Sequence, residues 1–332
     1  MKKIATLLIG LIILSVANAQ TDSIVNAIIK TDSIVNVILK TDTIKVWKKG
    51  GLGALNFSQS SFTNWAAGGE NALSATALLN VFANYKKDKN TWDNTLDLAY
   101  GLLQSSHSAV RKNEDKIDFS SKYGRYAFLE HWYYTALVNF KTQFDNGYNY
   151  PDDSTVISHF MAPAYVLVAL GMDYKTIDNS FSVFISPLTS KTTIVNNQRL
   201  ADAGAFGVEK ARYDSVAGIY VMVEHGNMVR TEFGGYLKMT FKKDIAKNVN
   251  FSTKLELFSN YLDRPENIDV NWEILIGMKV NNFLTASIST QMIYDHDIPV
   301  PVVRDVNGVQ TPGAGPRLQF KEVLAIGISY KF

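Results

Sequence analysis

The chain has 332 residues, enough for one large all-β domain or two ordinary domains. Its 33 basic and 31 acidic residues nearly cancel, which leaves no dense basic footprint, so nucleic acid is not an expected partner. The absence of cysteine excludes disulfides, thiolate metal sites, a cysteine nucleophile and a lipid-modified N-terminal cysteine.

Residues 1–19 are predicted to be a cleaved signal peptide. Lys2 and Lys3 precede an apolar run over residues 4–16, and Ala17-Asn18-Ala19 is a small-residue cleavage site. The run is shorter than the roughly 20 residues that a membrane-spanning helix needs. We therefore expect a secreted protein.

A short repeated segment follows, over residues 20–46. Three ten-residue units begin at Thr21, Thr31 and Thr41. They are too short to stack as a solenoid, because each unit cannot bury a face. We expect a partly disordered periplasmic tail; the alternative is a segment that binds a partner by adding a strand.

From residue 47 onward the sequence alternates between apolar and polar residues, which is typical of β-strands. Residues 47–332 are predicted to form a closed, antiparallel, up-and-down transmembrane β-barrel in an all-β fold. An even number of strands is expected for such a barrel. Twelve strands are predicted, and fourteen if residues 188–228 contain another hairpin. The twelve runs are 52–58, 73–85, 92–102, 116–126, 132–144, 160–174, 181–187, 229–241, 249–261, 268–280, 284–294 and 320–332.

The connections between these runs alternate in length. Every second gap is short, whereas most of the others are long and polar, as in outer-membrane barrels with short periplasmic turns and long extracellular loops. The short gaps are near 86–91, 127–131, 175–180, 242–248 and 281–283, and the others are 59–72, 103–115, 145–159, 188–228, 262–267 and 295–319.

A water-soluble barrel would have the same alternation with its apolar face inside. Three features favour an apolar face toward lipid: the runs are long enough to cross a bilayer, the opposite face carries charges of both signs, and aromatic residues fall near both ends of the strands. Near the periplasmic end we expect outward Tyr85, Trp92, Trp132, Tyr174, Phe241, Phe251 and Tyr330, and near the other end Tyr100, Phe144, Phe160, Phe233, Tyr261, Trp272, Tyr294 and Phe320.

The polar faces of the last strands are candidates for the lining of the lumen. Basic residues outnumber acidic ones there, which suggests a preference for anionic solutes. A barrel of this size can also be filled by paired charges and closed. The candidate lining residues are Arg230, Glu232, Lys238, Lys254, Glu256, Asp269, Glu273, Lys279 and Lys321.

The last strand alternates up to a terminal aromatic residue. Tyr330 and Phe332 resemble the signal that outer-membrane barrels present to their assembly machinery. Barrel-assembly machinery, outer-membrane lipid or lipopolysaccharide, and a small solute are the expected partners.

The segment over residues 52–74, preceded by Trp47, resembles an uncharacterised outer-membrane barrel family of Bacteroidota, the domain-of-unknown-function family 3078. The most specific part is the motif N-W-A-A-G-G-E-N. The resemblance implies a barrel in the bacterial outer membrane and no catalytic residue. A structural turn anchored by Trp65 is the favoured interpretation, and a ligand site using Asn64, Glu70 and Asn71 is the alternative; Gly68 and Gly69 permit close backbone packing.

Enzymatic chemistry is not expected. Ser105 and His107 have the spacing found in outer-membrane phospholipases, but in reversed order and within a loop. Asp152-Asp153 and Asp295-His296-Asp297 lack convincing metal-ligand spacing. We expect no cofactor. The sequence thus predicts a passive or substrate-binding pore with extracellular recognition loops; the alternatives are a membrane-anchored binding protein and, third, a lipid-modifying enzyme.

Overall fold

A computed structural model describes residues 46–61, 71–105, 108–216, 218–298, 300–306 and 309–332, with side chains for all of these except residues 216 and 301–312. Twelve antiparallel strands close into one barrel, as the sequence predicted. In the described part of the chain, no helix is long and apolar enough to cross a bilayer.

The barrel strands are connected up and down. The short connections (88–89, 127–131, 176–180, 247–248 and 280–283) lie at one end, called the turn end, and the six others lie at the loop end. The predicted alternation of connections is confirmed except between Ser105 and Arg111, where a long loop was predicted but only five residues join the two strands. The barrel strands are β1 (Trp47–Ser60), β2 (Ala72–Lys87), β3 (Asn90–Ser105), β4 (Arg111–Tyr126), β5 (Trp132–Thr142), β8 (Ala164–Lys175), β9 (Phe181–Ile194), β12 (Val229–Ala246), β13 (Val249–Asn260), β14 (Ile268–Lys279), β15 (Leu284–Tyr294) and β18 (Gln319–Lys331).

Within the described residues, three small hairpins lie in the loops, each as a separate two-stranded sheet: β6 (Gly147–Tyr148) with β7 (Val156–Ser158), β10 (Arg212–Val216) with β11 (Ile219–Glu224), and β16 (Val300–Val306) with β17 (Val309–Gly315). Residues 188–228 do contain a hairpin, which is β10–β11. It does not join the barrel, so the alternative of fourteen strands is wrong.

Strand β9 continues to Ile194, and its predicted end at Pro187 is wrong. The register with β8 shifts between Leu170 and Met172, and the register with β12 shifts between Gly234 and Tyr236. A β-bulge thus surrounds Pro187, whose backbone nitrogen carries no hydrogen and cannot donate to a neighbouring strand. The extra residue reverses which side chains face inward. The alternation of apolar and polar residues therefore changes phase at Pro187, and a single period cannot be followed past it.

The outward face carries aromatic contacts at both ends of the barrel. At the turn end Trp47 lies 5.3 Å from Tyr85 and 5.9 Å from Trp92 between ring centroids, and Trp132 lies 5.4 Å from Tyr174. At the loop end Tyr100 lies 6.3 Å from Phe144. Amphipathic rings at both rims are typical of barrels that cross a lipid bilayer.

A compact cap covers part of the loop end. It contains helix α1 (Gln198–Asp202) and a 3₁₀ turn (Ala205–Gly207). Leu200, Ala201 and Val195 are buried there against the loop that precedes β8. Arg230 of β12 binds the cap, because its guanidinium donates a hydrogen bond to the carbonyl oxygen of Gly207 over 2.9 Å.

Candidate functional site

The interior of the barrel is the candidate functional site. Strand register places eight of the predicted lining residues on the inward face with charged or polar partners. Lys279 also has an inward register position, but it is exposed at the turn end. The eight residues are Arg230, Glu232, Lys238, Lys254, Glu256, Asp269, Glu273 and Lys321.

A network of ion pairs crosses the lumen at mid-height. We call it the charged belt; it consists of Glu114, Lys116, Asp118, Lys141, Lys238, Lys254, Glu256, Glu273 and Lys321.

Glu256 is the centre of one half of the belt. Its carboxylate lies 2.7 Å from Lys141 Nζ and 3.5 Å from Lys238 Nζ, and it accepts hydrogen bonds from the Tyr236 hydroxyl and the Asn271 amide, each at 3.0 Å. The carboxylate is buried, so these partners replace the water that it loses.

Glu273 is the centre of the other half. Lys254 Nζ lies 2.9 Å from its carboxylate and Lys116 Nζ lies 3.6 Å away. Both lysines also approach Asp118, at 3.7 and 3.8 Å. Lys321 of β18 pairs with Glu114 of β4 at the edge of this group. The belt therefore links β4 and β5 to β12, β13, β14 and β18.

The belt spans the full width of the barrel. Five strands separate β4 from β14 in either direction around the closed sheet, so Lys116 and Glu273 come from opposite walls. Sequence analysis found Lys238, Lys254, Glu256, Glu273 and Lys321 but missed their partners on β4 and β5. Alternation in residues 116–126 and 132–144 contained the signal: Lys116, Asp118 and Lys141 occupy the inward positions there.

One side of the lumen is filled by an apolar cluster. Leu137, Ala169, Phe184, Tyr236 and Phe258 are buried together, and the rings of Phe184 and Tyr236 lie 6.2 Å apart. These residues come from β5, β8, β9, β12 and β13, which are consecutive in the barrel wall. The cluster therefore narrows the lumen, and the open part is the space that the cluster leaves.

The described residues line two cavities in the open part, one on either side of the belt. The loop-side cavity has a volume of about 550 Å³ and the turn-side cavity about 430 Å³. They share a wall formed by Glu114, Lys116, Glu273, Gln291 and Lys321. Because four of these residues belong to the belt, the ion pairs separate the cavities.

Acidic residues outnumber basic ones around the loop-side cavity. Lys191 at its side is surrounded by Asp269 at 2.6 Å and by Glu232 and Asp295, each at 3.5 Å. Some of these acidic residues lie on β4 and in the loops, whereas the sequence analysis compared charges only on the polar faces of the last strands. The charged lining residues are Glu114, Asp115, Asp118, Glu256, Asp269, Glu273 and Asp295 against Lys112, Lys116, Lys141, Lys191 and Lys321. This balance does not support a preference for anions.

The other predicted site residues lie apart from the lumen. The motif residues Asn64, Trp65, Gly68, Gly69 and Glu70, and also His107, lie outside the described residues; Asn71 is exposed just before β2. At the turn end, the rings of Tyr330 and Phe332 stack with centroids 6.4 Å apart. Within the described residues, no three histidine or acidic side chains form a group that could hold a metal ion.

A family model described as a protein of unknown function (DUF3078) matches residues 57–148. The resemblance predicted from the sequence is confirmed over this segment, while the bacterial group that it implied stays a prediction. No curated protein has a sequence that matches this chain.

Among solved structures, the chain is similar to an outer membrane channel from Pseudomonas putida F1, with a TM-score of 0.37, 12% identity, and coverage of 86% of this chain and 94% of the channel. It is also similar to the translocator domain of the autotransporter NalP from Neisseria meningitidis (0.34, 9%, 86% and 88%) and to the NanC porin (0.34, 10%, 85% and 100%). Likenesses this distant identify neither a substrate nor a mechanism.

Proposed function

We propose that this chain is a bacterial outer-membrane barrel that binds a small solute and admits it through its lumen. The outward aromatic contacts and the alternating connections support the membrane location, with the loop end outside the cell. On this account outer-membrane lipid surrounds the barrel, and the loops around the mouth recognise the solute.

The observation that carries the proposal is the pair of lumen cavities separated by the charged belt. An anchor alone has no need of an enclosed polar interior with room on both sides of a constriction. The cross-lumen distances in the belt, such as 2.7 Å from Lys141 to Glu256, leave no wide passage there. Passage therefore requires the ion pairs to exchange partners, as in a substrate-binding pore rather than a wide diffusion porin.

The lining favours neutral or cationic polar solutes over anions. Seven acidic and five basic side chains line the loop-side cavity, so an entering anion meets a net negative surface. This proposal replaces the anion preference that the sequence suggested.

The terminal aromatic pair supports recognition by barrel-assembly machinery. The ring of Phe332 lies over Gly51, where a Cβ atom would be 2.4 Å from the ring, and backbone bonds of 2.9 and 3.1 Å join the two residues. Phe332, which follows β18, thus extends the seam with β1 at the turn end.

Conductance across a planar bilayer tests the pore directly. We expect small, discrete, cation-preferring currents from the purified full chain, and larger ones when the belt is disrupted. If the chain inserts as a folded barrel and conducts nothing even with a disrupted belt, the pore is excluded.

A second candidate is an anchored binding protein, which the β10–β11 hairpin favours. All six residues of β11 are exposed, and Ile219 and Tyr220 are 67% and 79% exposed. Exposed apolar patches mark interaction surfaces. Ligand capture that is lost on replacing Ile219 and Tyr220 by serine, in a chain that conducts nothing, would favour this candidate.

We propose no catalytic activity; a lipid-hydrolysis assay on the folded barrel tests the enzyme alternative.

A further inference from the structure

Five exposed lysines surround the mouth of the lumen at the turn end. Strand register places each of them on the inward face of the wall. Lys331, for example, pairs with Leu52 of β1, and both belong to the inward face. Lys242 pairs with Ser252 of β13 in the same way, and Leu52 and Ser252 line the turn-side cavity. We call these residues the mouth lysines: Lys48, Lys86, Lys242, Lys279 and Lys331.

Acidic residues do not balance the charge of the mouth lysines. Asp173 and Asp93 also face inward near this end, but Lys122 binds the first at 2.7 Å and Lys175 binds the second at 2.5 Å. Among the described residues, Asp244 is the remaining inward acidic residue at this end. Residues 20–45, which precede β1, contain three aspartates and three lysines and so add no net charge. The turn-end mouth is therefore basic, whereas the lining of the loop-side cavity is acidic.

Exposed apolar side chains accompany the mouth lysines. Ile245 follows Lys242 on β12 and is 57% exposed. Val280 and Phe283 follow Lys279 in the β14–β15 turn and are 60% and 61% exposed. Exposed apolar side chains among polar ones are typical of interaction surfaces. A matching partner thus carries apolar groups as well as negative charge.

The spacing of the mouth lysines indicates the size of that partner. The lysines lie along an arc of the wall in the order β2, β1, β18, β15, β14, β13 and β12, which contains six steps between neighbouring strands. At roughly 4.8 Å per step, the arc is about 29 Å long. A single phosphate or carboxylate group contacts only one or two lysines on such an arc, whereas an extended peptide of about nine residues follows all of it.

We propose that the turn-end mouth binds an acidic, partly apolar peptide segment of a periplasmic protein. The proposal rests on the orientation proposed above, in which the turn end faces the periplasm. Carboxylates of the segment pair with the mouth lysines, and its apolar side chains pack on Ile245, Val280 and Phe283. Because the segment lies across the mouth, it closes the lumen from the periplasmic side.

The register distinguishes this partner from the lipid around the barrel. Lipid head groups surround the outside of the wall, where Lys87 and Lys243 have outward register positions. Their neighbours Lys86 and Lys242 face the lumen instead. The acidic lining of the loop-side cavity repels the same peptide at the loop end, so binding is confined to one end of the barrel.

The binding test uses the folded full chain in amphipol and a fluorescein-labelled peptide of about twelve residues, composed of glutamate and leucine. We expect saturable binding, measured by fluorescence anisotropy, that weakens as salt screens the charges. Lys86→Gln/Lys242→Gln should weaken binding about tenfold, the effect of losing two exposed ion pairs. The matched control is Lys87→Gln/Lys243→Gln, which removes two lysines of the same strands from outward positions and should leave binding unchanged.

Two further peptides separate the charge from the apolar contact. A peptide of the same length with glutamine in place of glutamate should not bind, and an all-glutamate peptide should bind more weakly than the mixed one. Phe283→Ser should weaken binding of the mixed peptide without affecting the all-glutamate peptide. Equal binding of the glutamine peptide would overturn recognition by charge, and equal binding of the two acidic peptides would overturn the apolar contact.

Currents across a planar bilayer test closure of the lumen. The mixed peptide should block the current from the turn side and leave it unchanged from the loop side; binding without block would overturn the closure. The absence of saturable binding, or equal weakening by the inward and outward lysine pairs, would overturn the docking site. Binding to a chain that conducts nothing would overturn only the pore, and currents from a chain that does not bind the peptide would overturn only this inference.

Discussion

Lys116 and Glu273 lie 3.6 Å apart although they belong to β4 and β14, two strands on opposite walls of the barrel. Such a contact requires the lumen to be narrow at this height. It also couples the two walls electrostatically in surroundings that screen charge less than bulk water does. The interior is therefore both the candidate pathway and a source of stability for the closed sheet.

Replacing Glu256 should destabilise the barrel more than any other single change in the belt. Glu256→Gln leaves Lys141 and Lys238 without a buried carboxylate, and loss of one partner of a buried pair costs roughly 3–5 kcal/mol. We expect a fall of about this size in the free energy of unfolding, measured by urea titration in detergent micelles. Lys279→Gln, at the exposed turn end, is the control and should remain within about 0.5 kcal/mol of wild type.

The bulge around Pro187 should not tolerate a side chain at Gly171. A Cβ atom there would lie 2.0 Å from the carbonyl oxygen of Ile185, and backbone cannot give way as a side chain can. We expect Gly171→Val to reduce the folded fraction strongly, as seen by the heat-dependent mobility of the barrel on gels. Gly277→Val should fold normally, because a Cβ at Gly277 meets nothing within 4 Å. Equal folding of both variants would contradict the bulge.

The terminal residue should matter for assembly rather than for conductance. Phe332→Ala removes the ring that packs over Gly51, so we expect less protein in the outer-membrane fraction of cells. Phe320→Ala removes a similarly exposed outward ring at the loop end of β18 and should assemble normally. An equal loss for both variants would show that general aromatic content, not the closing contact, is required.

The β8–β9 turn should respond to acid through Asp178. The Thr176 hydroxyl, followed by the N–H and hydroxyl of Ser180, donates to this carboxylate and lowers its pKa from 3.8 to about 2. A lowered pKa in the folded state means that the contribution to stability is complete well above pH 3.8 and is lost as the pH falls through about 2. We therefore expect Asp178→Asn to increase hydrogen exchange of the turn amides near neutral pH, with the difference from wild type vanishing toward pH 2. A constant difference would contradict this assignment.

Alternation in the sequence was sufficient to predict the twelve strands and their faces, because a strand that separates lipid from an enclosed interior must change polarity at every residue. Val229–Ala246 is the clearest case, with Phe233 outward and Glu232 inward. The same reasoning failed at Pro187, since a bulge changes the phase of the alternation without any change in composition.

The cross-lumen partners could not be predicted. Which inward residues meet across a barrel depends on strand tilt and on the stagger of the closed sheet, and no local pattern encodes either. Lys141 and Glu256 are 115 positions apart and meet only because the barrel closes. The sequence also did not predict the apolar cluster in the lumen. Phe184 and Phe258 alternate with serines, lysines and glutamates on faces that read as polar.

The most direct test of the account is the ion selectivity of Glu273→Gln in a planar bilayer under a salt gradient. The substitution releases Lys116 and Lys254 from their shared carboxylate. The reversal potential should therefore shift toward that of the anion, with a larger unitary current than in wild type. Glu322→Gln, at an outward register position, should leave both quantities unchanged. A reversal potential that is the same in wild type and in Glu273→Gln would contradict a conducting lumen that the belt controls.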